Sequence, residues 1–143
     1  MIPNHPRFDV LVYRGVELDD PRGLFAAHGW GGTWVSSVFA FHHFHSTSHE
    51  ALAVLAGNAT IELGGPQGRA FEVGAGDVLV LPAGTGHRRA RDAGGFRVMG
   101  AYPAGQEDYD LLREADGAAR ARIAALGPPS DDPVGGPGVA SWR

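Results

Sequence analysis

Glycine and proline interrupt the middle of this chain so often that little room is left for long helices. Of its 143 residues, 22 are Gly and 10 are Pro. Short apolar, β-branched or alternating runs lie between the breaks, at Trp34 to Phe41, Ala51 to Ala56, Ala59 to Leu63, Arg69 to Val73, Asp77 to Leu81, His87 to Arg91 and Phe96 to Tyr102. Turn signals separate them at Gly57-Asn58, Gly64-Gly65-Pro66-Gln67-Gly68, Gly74-Ala75-Gly76 and Asp92-Ala93-Gly94-Gly95. Runs of this length and spacing favour strands. Ala51 to Leu63 reads as a hairpin reversed at Gly57-Asn58, and Val78 to Leu81, apolar on both faces, as a strand sandwiched between layers. The pattern predicts an all-β barrel or sandwich.

The flanks read differently. Val10 to Tyr13 predicts a first strand, and Asp19-Asp20-Pro21 offers a cap and a first-turn proline for a short helix up to about Trp30. Helix formers run from Asp108 to Leu126, with Leu111, Leu112, Ile123 and Leu126 as apolar contacts and an interruption near Gly117. Gly127 to Arg143 reads as an extended arm laid on the surface, with Trp142 as its anchor. A chain of this length supports one hydrophobic core. We therefore expect a single domain over residues 1–143, with the barrel at about 33–103 and the helix and tail at 104–143.

Composition removes several function classes. A net charge of -4 and the lack of a long basic block argue against nucleic acid or an anionic membrane surface as partner, leaving small molecules. There is no Cys, which excludes disulfides, thiolate ligands and nucleophilic thiols, and no Lys, which excludes Schiff-base chemistry on a side chain. No glycine-rich phosphate loop joins a strand to a helix, so no nucleotide cofactor is expected. No segment approaches the roughly 20 apolar residues needed to cross a bilayer, so a cytoplasmic protein is expected. An all-arginine basic set in an Ala- and Gly-rich chain fits a GC-rich bacterial genome.

Against this background His43-Phe44-His45, Glu50 and His87 stand out as a metal-ligand set, because neutral imidazoles and an anionic carboxylate together offset the loss of a divalent ion's water shell. In a strand His43 and His45 share a face. The carboxylate is ambiguous. Counting by two from His45 points to His49, whereas counting back from Leu52 and Val54 points to Glu50, with the Ser46-Thr47-Ser48 insert free to reset the register. The same parity aims Arg89 and Arg91 inward if His87 is inward, and a buried guanidinium needs an anion. Arg89 or Arg91 would then bind a carboxylate on a ligand, or close an internal salt bridge. Trp30, Trp34, Phe39, Phe41 and Tyr102 read as core or pocket-wall aromatics, and His5 and His28 as surface residues.

The spacing His43-x-His45-x4-Glu50-x6-Gly57, answered by Gly76-x5-Pro82-x-Gly84-x2-His87, resembles the two motifs of the cupin superfamily. The wider text from His42 to Glu50, with Gly100-Ala101-Tyr102-Pro103 and Asp132-Pro133-Val134, resembles a small bacterial YjlB-like subgroup. The resemblance implies a double-stranded β-helix, or jelly roll, with His43, His45, Glu50 and His87 as ligands of a divalent metal, Fe2+ first and Mn2+, Ni2+ or Zn2+ as alternatives. His49 is the alternative ligand or a support behind the site. Two positions depart from the motifs: Ser37 stands where a glycine is usual, and Arg91 where an asparagine is expected. Four ligands leave positions open on an octahedral ion. An oxygen-using oxidoreductase of dioxygenase type is the first expectation, with a non-catalytic binding module and a metal-dependent isomerase or lyase as alternatives, and a homodimer as the assembly.

Overall fold

Two long bent strands organise the computed structural model, which describes residues 1–143. In chain order the elements are β1 (Leu11–Tyr13), α1 (Pro21–Ala26), β2 (Trp30–Ser36), β3 (Glu50–Leu63), β4 (Arg69–Gly74), β5 (Val78–Leu81), β6 (His87–Pro103) and α2 (Gly117–Ala125), followed by a 3-10 turn over Gly138–Trp142. The strands form one antiparallel sheet in the order β1-β5-β3-β6-β2, with β4 added alongside β3. The result is an all-β jelly roll with a short C-terminal helix. No helix is long and apolar enough to cross a membrane.

The expected hairpin at Gly57-Asn58 is a correction. The chain does not reverse there: β3 runs unbroken for 14 residues, and β6 likewise runs for 17 through Asp92-Ala93-Gly94-Gly95. Gly57 has φ +70°, Gly94 +69° and Gly95 +70°, and the β3–β6 register shifts around Ala56. These left-handed residues make facing bulges, which bend a strand pair without ending it. A Cβ on Gly57 would lie 2.6 Å from the Ala93 carbonyl oxygen. Bending lets the first half of β3 pair with β5 and its second half with β4, while β6 follows it along both.

Three other boundaries moved. The strand expected up to Phe41 ends at Ser36, and α1 stops at Ala26 because Trp30 already pairs with Pro103. The helix expected from Asp108 begins only at Gly117, where the Asp116 side chain accepts from Ala119 N and caps it. Before that point Phe44 and Leu112 exchange backbone hydrogen bonds, which holds the segment extended.

The sheet is buried on both faces. Leu52, Val54, Ile61, Leu79, Leu81 and Val98 fill the barrel interior. Ala51, Ala53, Val78, Val80 and Met99, the alternate residues of the same strands, meet Phe8, Phe25, Trp30, Val139 and Trp142 on the outside. The C-terminal arm is thus a wall of the outer core. Its corner is Asp132, buried, which accepts from the Tyr13 hydroxyl (2.5 Å) and from the backbone N–H of Val134, Gly136 and Val139. Burial, then the bond to Asp132, pushes the Tyr13 phenol up to about 12.

Candidate metal centre

His43 and His45 lie on the segment leading into β3, and His87 opens β6. Mutual backbone bonds between His43 and His87 (3.2 and 2.9 Å) bring the two segments together. Gly84 makes that approach possible. It has φ +87°, donates to the His45 carbonyl at 2.8 Å, and has no room for a Cβ, which would stand 2.9 Å from Asn4 O. Donor nitrogens of His43, His45 and His87 fall within 4.8 Å of one another, and all three residues are buried.

Each imidazole is oriented from behind. His43 Nδ1 donates to Phe41 O (3.0 Å), His87 Nδ1 to Thr85 O (3.0 Å) and His45 Nδ1 to Asp110 O. With Nδ1 carrying the proton, each Nε2 presents a lone pair to the common point. Glu50, first residue of β3, joins them: its Oε1 lies 3.1 Å from His87 Nε2 and 3.4 Å from His45 Nε2. That oxygen has no aligned hydrogen-bond donor although it is fully buried. Its partner Oε2 accepts from the Tyr102 hydroxyl (2.8 Å), which in turn accepts from Trp34 Nε1 (2.7 Å).

The electrostatics follow from this crowding. Burial, then the neighbouring His87, lowers His43 to about 3. For Glu50, burial favours the neutral acid, but His45 and His87 outweigh it and hold the carboxyl below its usual range. His45 is shifted up, because the Glu50 charge and hydrogen bond and the Asp110 carbonyl overcome the opposing effect of burial. The site is a buried cluster of acceptors around one point, an arrangement that needs a cation. A proton on His45 would meet part of that need. A divalent ion would meet all of it, and three imidazoles with a carboxylate fit a first-row divalent metal.

The ambiguity over the carboxylate is resolved by Asp110. Its side chain accepts from Ser46 N (2.6 Å), Ser46 Oγ and Thr47 Oγ1 (3.4 Å), pinning the insert so that Glu50 enters the barrel. His49 faces the other way, where its Nδ1 accepts from Ala83 N (2.9 Å) and its Nε2 donates to Gly127 O (2.8 Å). Both nitrogens are committed, so His49 stands behind the site.

That commitment makes an acid-stability prediction. Burial lowers His49 from 6.5 to about 4, against the Gly127 carbonyl, which favours the charged form. Its contribution to stability is complete above pH 6.5, where both states are neutral, and is lost between 6.5 and about 4, where the unfolded chain takes up a proton that the folded one refuses. We expect a loss on the order of 3 kcal/mol over that window. Urea midpoints across it should fall less steeply in His49→Gln; an unchanged slope would remove His49 as the cause.

Arg89 and Arg91 are a correction of placement, since neither lines the cavity at the metal centre. The β3–β6 register pairs Ile61 with Arg89 but Thr60 with Arg91, leaving Ala90 in a bulge. That extra residue turns Arg91 to the outer face, where its side chain is 79 % exposed and 3.8 Å from Glu72. Arg89 donates to Val38 O (3.0 Å) and Asp92 (2.9 Å), an internal ion pair.

The cavity measures about 250 Å³, and Trp34, Phe39, Leu52, Tyr102, Tyr109 and Leu111 contribute its walls. Tyr109 stacks on Tyr102 at 4.1 Å and meets the edge of His45 at 4.9 Å. Tyr109 and Asp110 carried no signal in the sequence: they approach the site across 64 or so residues of chain, from a segment that read as helix. Removing the Tyr102 hydroxyl in Tyr102→Phe strips Glu50 Oε2 of its donor and Trp34 Nε1 of its acceptor; it should weaken metal binding about 10–100-fold and also lower the melting temperature of the metal-free protein. Metal titration by calorimetry checks this; unaltered affinity would make the bond incidental.

Comparison with known proteins agrees with this geometry. The Cupin domain family matches residues 34–94, a span that holds all four converging side chains. The uncharacterized protein YjlB of Bacillus subtilis is 38 % identical in an alignment of 142 positions that covers 94 % of this chain and 84 % of that one. The chain therefore belongs to the cupins. More narrowly, it is a small cupin of the YjlB-like type. Among solved structures, a DUF861 family protein from Thermotoga maritima is 16 % identical, with 64 % of this chain and 97 % of that one covered and a TM-score of 0.45. Vicilin from Solanum lycopersicum is 21 % identical, with 79 % and 32 % covered and a TM-score of 0.47.

Proposed function

We propose that this protein binds a divalent metal through His43, His45, Glu50 and His87, and uses it on a small organic ligand as an oxygen-consuming, dioxygenase-type oxidoreductase. The observation that carries the reading is the buried Glu50 Oε1, which has no aligned donor and faces bare imidazole nitrogens. A first-row divalent ion in such a site supplies Lewis acidity and, as iron, our first choice, the capacity to engage dioxygen together with an organic ligand. The protein's part is to hold the donors, screen them from water behind aromatic walls, and keep Glu50 ionised and oriented through Tyr102.

Isomerisation or lysis uses a side chain that moves protons; the Tyr102 hydroxyl is bonded to Glu50 and Trp34, whereas Tyr109 also lines the cavity and could take that role. An isomerase or lyase therefore stays among the alternatives, beside a binding module without turnover. Oxygen uptake by Fe(II)-loaded protein with catechol-type chelators, absent in His87→Ala, is the expected result. Metal binding without uptake across such chelators would leave the binding module, or an isomerase or lyase.

The expected homodimer gains no broad apolar face to rest on, because the tail covers the outer sheet of its own chain. Phe39 and Leu111, at the cavity, are 53 % and 42 % exposed. Light scattering on the purified protein decides the assembly.

A further inference from the structure

The cavity walls also describe the ligand, on the reading that the four converging side chains hold a metal. No Arg or Lys lines the cavity, and the one lining carboxylate, Glu50, belongs to the metal centre. The arginines expected there are spent on Asp92 and Glu72. An anionic group on the ligand beyond its metal-binding atoms would therefore lie against tryptophan, phenylalanine and leucine with no counter-charge, and burying such a group is costly. The cavity is also smaller than those that hold drug-sized molecules, which begin near ~300 Å³.

One wall group lacks a partner. Ser37 is among the residues lining this cavity, and its Oγ, turned away from the open space, is buried without a hydrogen bond in the protein. A buried hydroxyl left unpaired is destabilising, and a change of χ1 rotamer would carry this one toward the cavity, where an oxygen of the ligand could accept from it. Ser37 follows β2 and stands where the cupin motif usually has glycine, which would offer no hydroxyl. Beside it, Trp34 lies flat enough over Gly100 that a Cβ there would come within 2.2 Å of the indole. The wall thus combines a flat aromatic surface with one buried, unpaired hydroxyl.

We infer that the ligand is a small, flat chelator with no anionic group beyond its metal-binding oxygens, and that Ser37, its side chain turned into the cavity, hydrogen-bonds one of those oxygens. The same wall disfavours phosphorylated compounds and chelators with an outlying carboxylate.

Two anaerobic calorimetric titrations test this. In the first, Ni(II) is added to the wild-type chain; no binding overturns the metal reading and this inference with it. In the second, the Ni(II)-loaded protein receives 4-methylcatechol or 3,4-dihydroxybenzoate, which have the same chelating oxygens and differ by a methyl against a carboxylate. We expect 4-methylcatechol to bind about tenfold tighter or better. Ser37→Ala should weaken it several-fold with Ni(II) stoichiometry unchanged, and Leu111→Arg, which places a cation at the mouth, should narrow or reverse the preference. Equal or tighter binding of 3,4-dihydroxybenzoate by the wild type overturns the inference and leaves the metal reading standing. Unchanged affinity in Ser37→Ala removes Ser37 from recognition.

Discussion

His87→Ala should lose its divalent metal while remaining folded. The wild-type chain, purified without added metal or chelator, is expected to carry about one equivalent of divalent ion. His87 contributes one of the three buried imidazoles and the Nε2 nearest Glu50, at 3.1 Å. Without it the carboxylate keeps His45, but the cluster has lost a neutral donor that nothing nearby can replace. Affinity should fall beyond the ~10–100-fold that outer hydrogen-bond partners are worth. Elemental analysis of both proteins reads the result, with His49→Gln as the companion, because that imidazole is buried yet bonded to Ala83 and Gly127. Metal retained in His87→Ala, or lost equally in His49→Gln, would sink the assignment. Metal absent from every sample, even after reconstitution, would mean that the converging side chains share protons and not an ion.

The largest stability effect should come from the end of the chain. Trp142 is 5 % exposed, stacks on Phe8 at 5.1 Å with nearly parallel rings, and donates from Nε1 to Asp9 O at 3.0 Å. Trp142→Ala removes an aromatic side chain from the outer core and should cost about 3–5 kcal/mol. For a chain of this size that is a fall in melting temperature of roughly 10 °C or more. Cleavage within the last fifteen or so residues should become rapid under limited proteolysis. A melting temperature within about 2 °C of wild type would show that the arm is not anchored on its own barrel in solution.

Both predictions turn on features of different legibility. The converging histidines could be read from local spacing, because two histidines two residues apart share a strand face whatever the rest of the fold does. Strand content could be read for the same reason: glycine and proline act on the backbone of their own residue. Parity, in contrast, extends only as far as the strand is regular. The bulge at Ala90 carried Arg91 outward and ended the inference from His87, and nothing in Arg88-Arg89-Ala90-Arg91 marks it, since it arises where β6 shifts register against β3.

Gly57 shows the same limit. A positive φ was legible, but a glycine in that conformation serves a reversal or a bulge equally, and the choice fell to Ala93 and Phe96 packed across from it. Taken by itself, the sequence determined the class of fold, the histidine pair and its distant partner, and the chemistry excluded by the lack of Cys and Lys. Tertiary structure alone decided that Glu50 and not His49 enters the barrel, that Tyr102 and Asp110 orient the site, and that no arginine lines the cavity. Those outcomes depend on contacts between segments far apart in the chain, where register and burial are set by what each side chain meets after the sheet has closed.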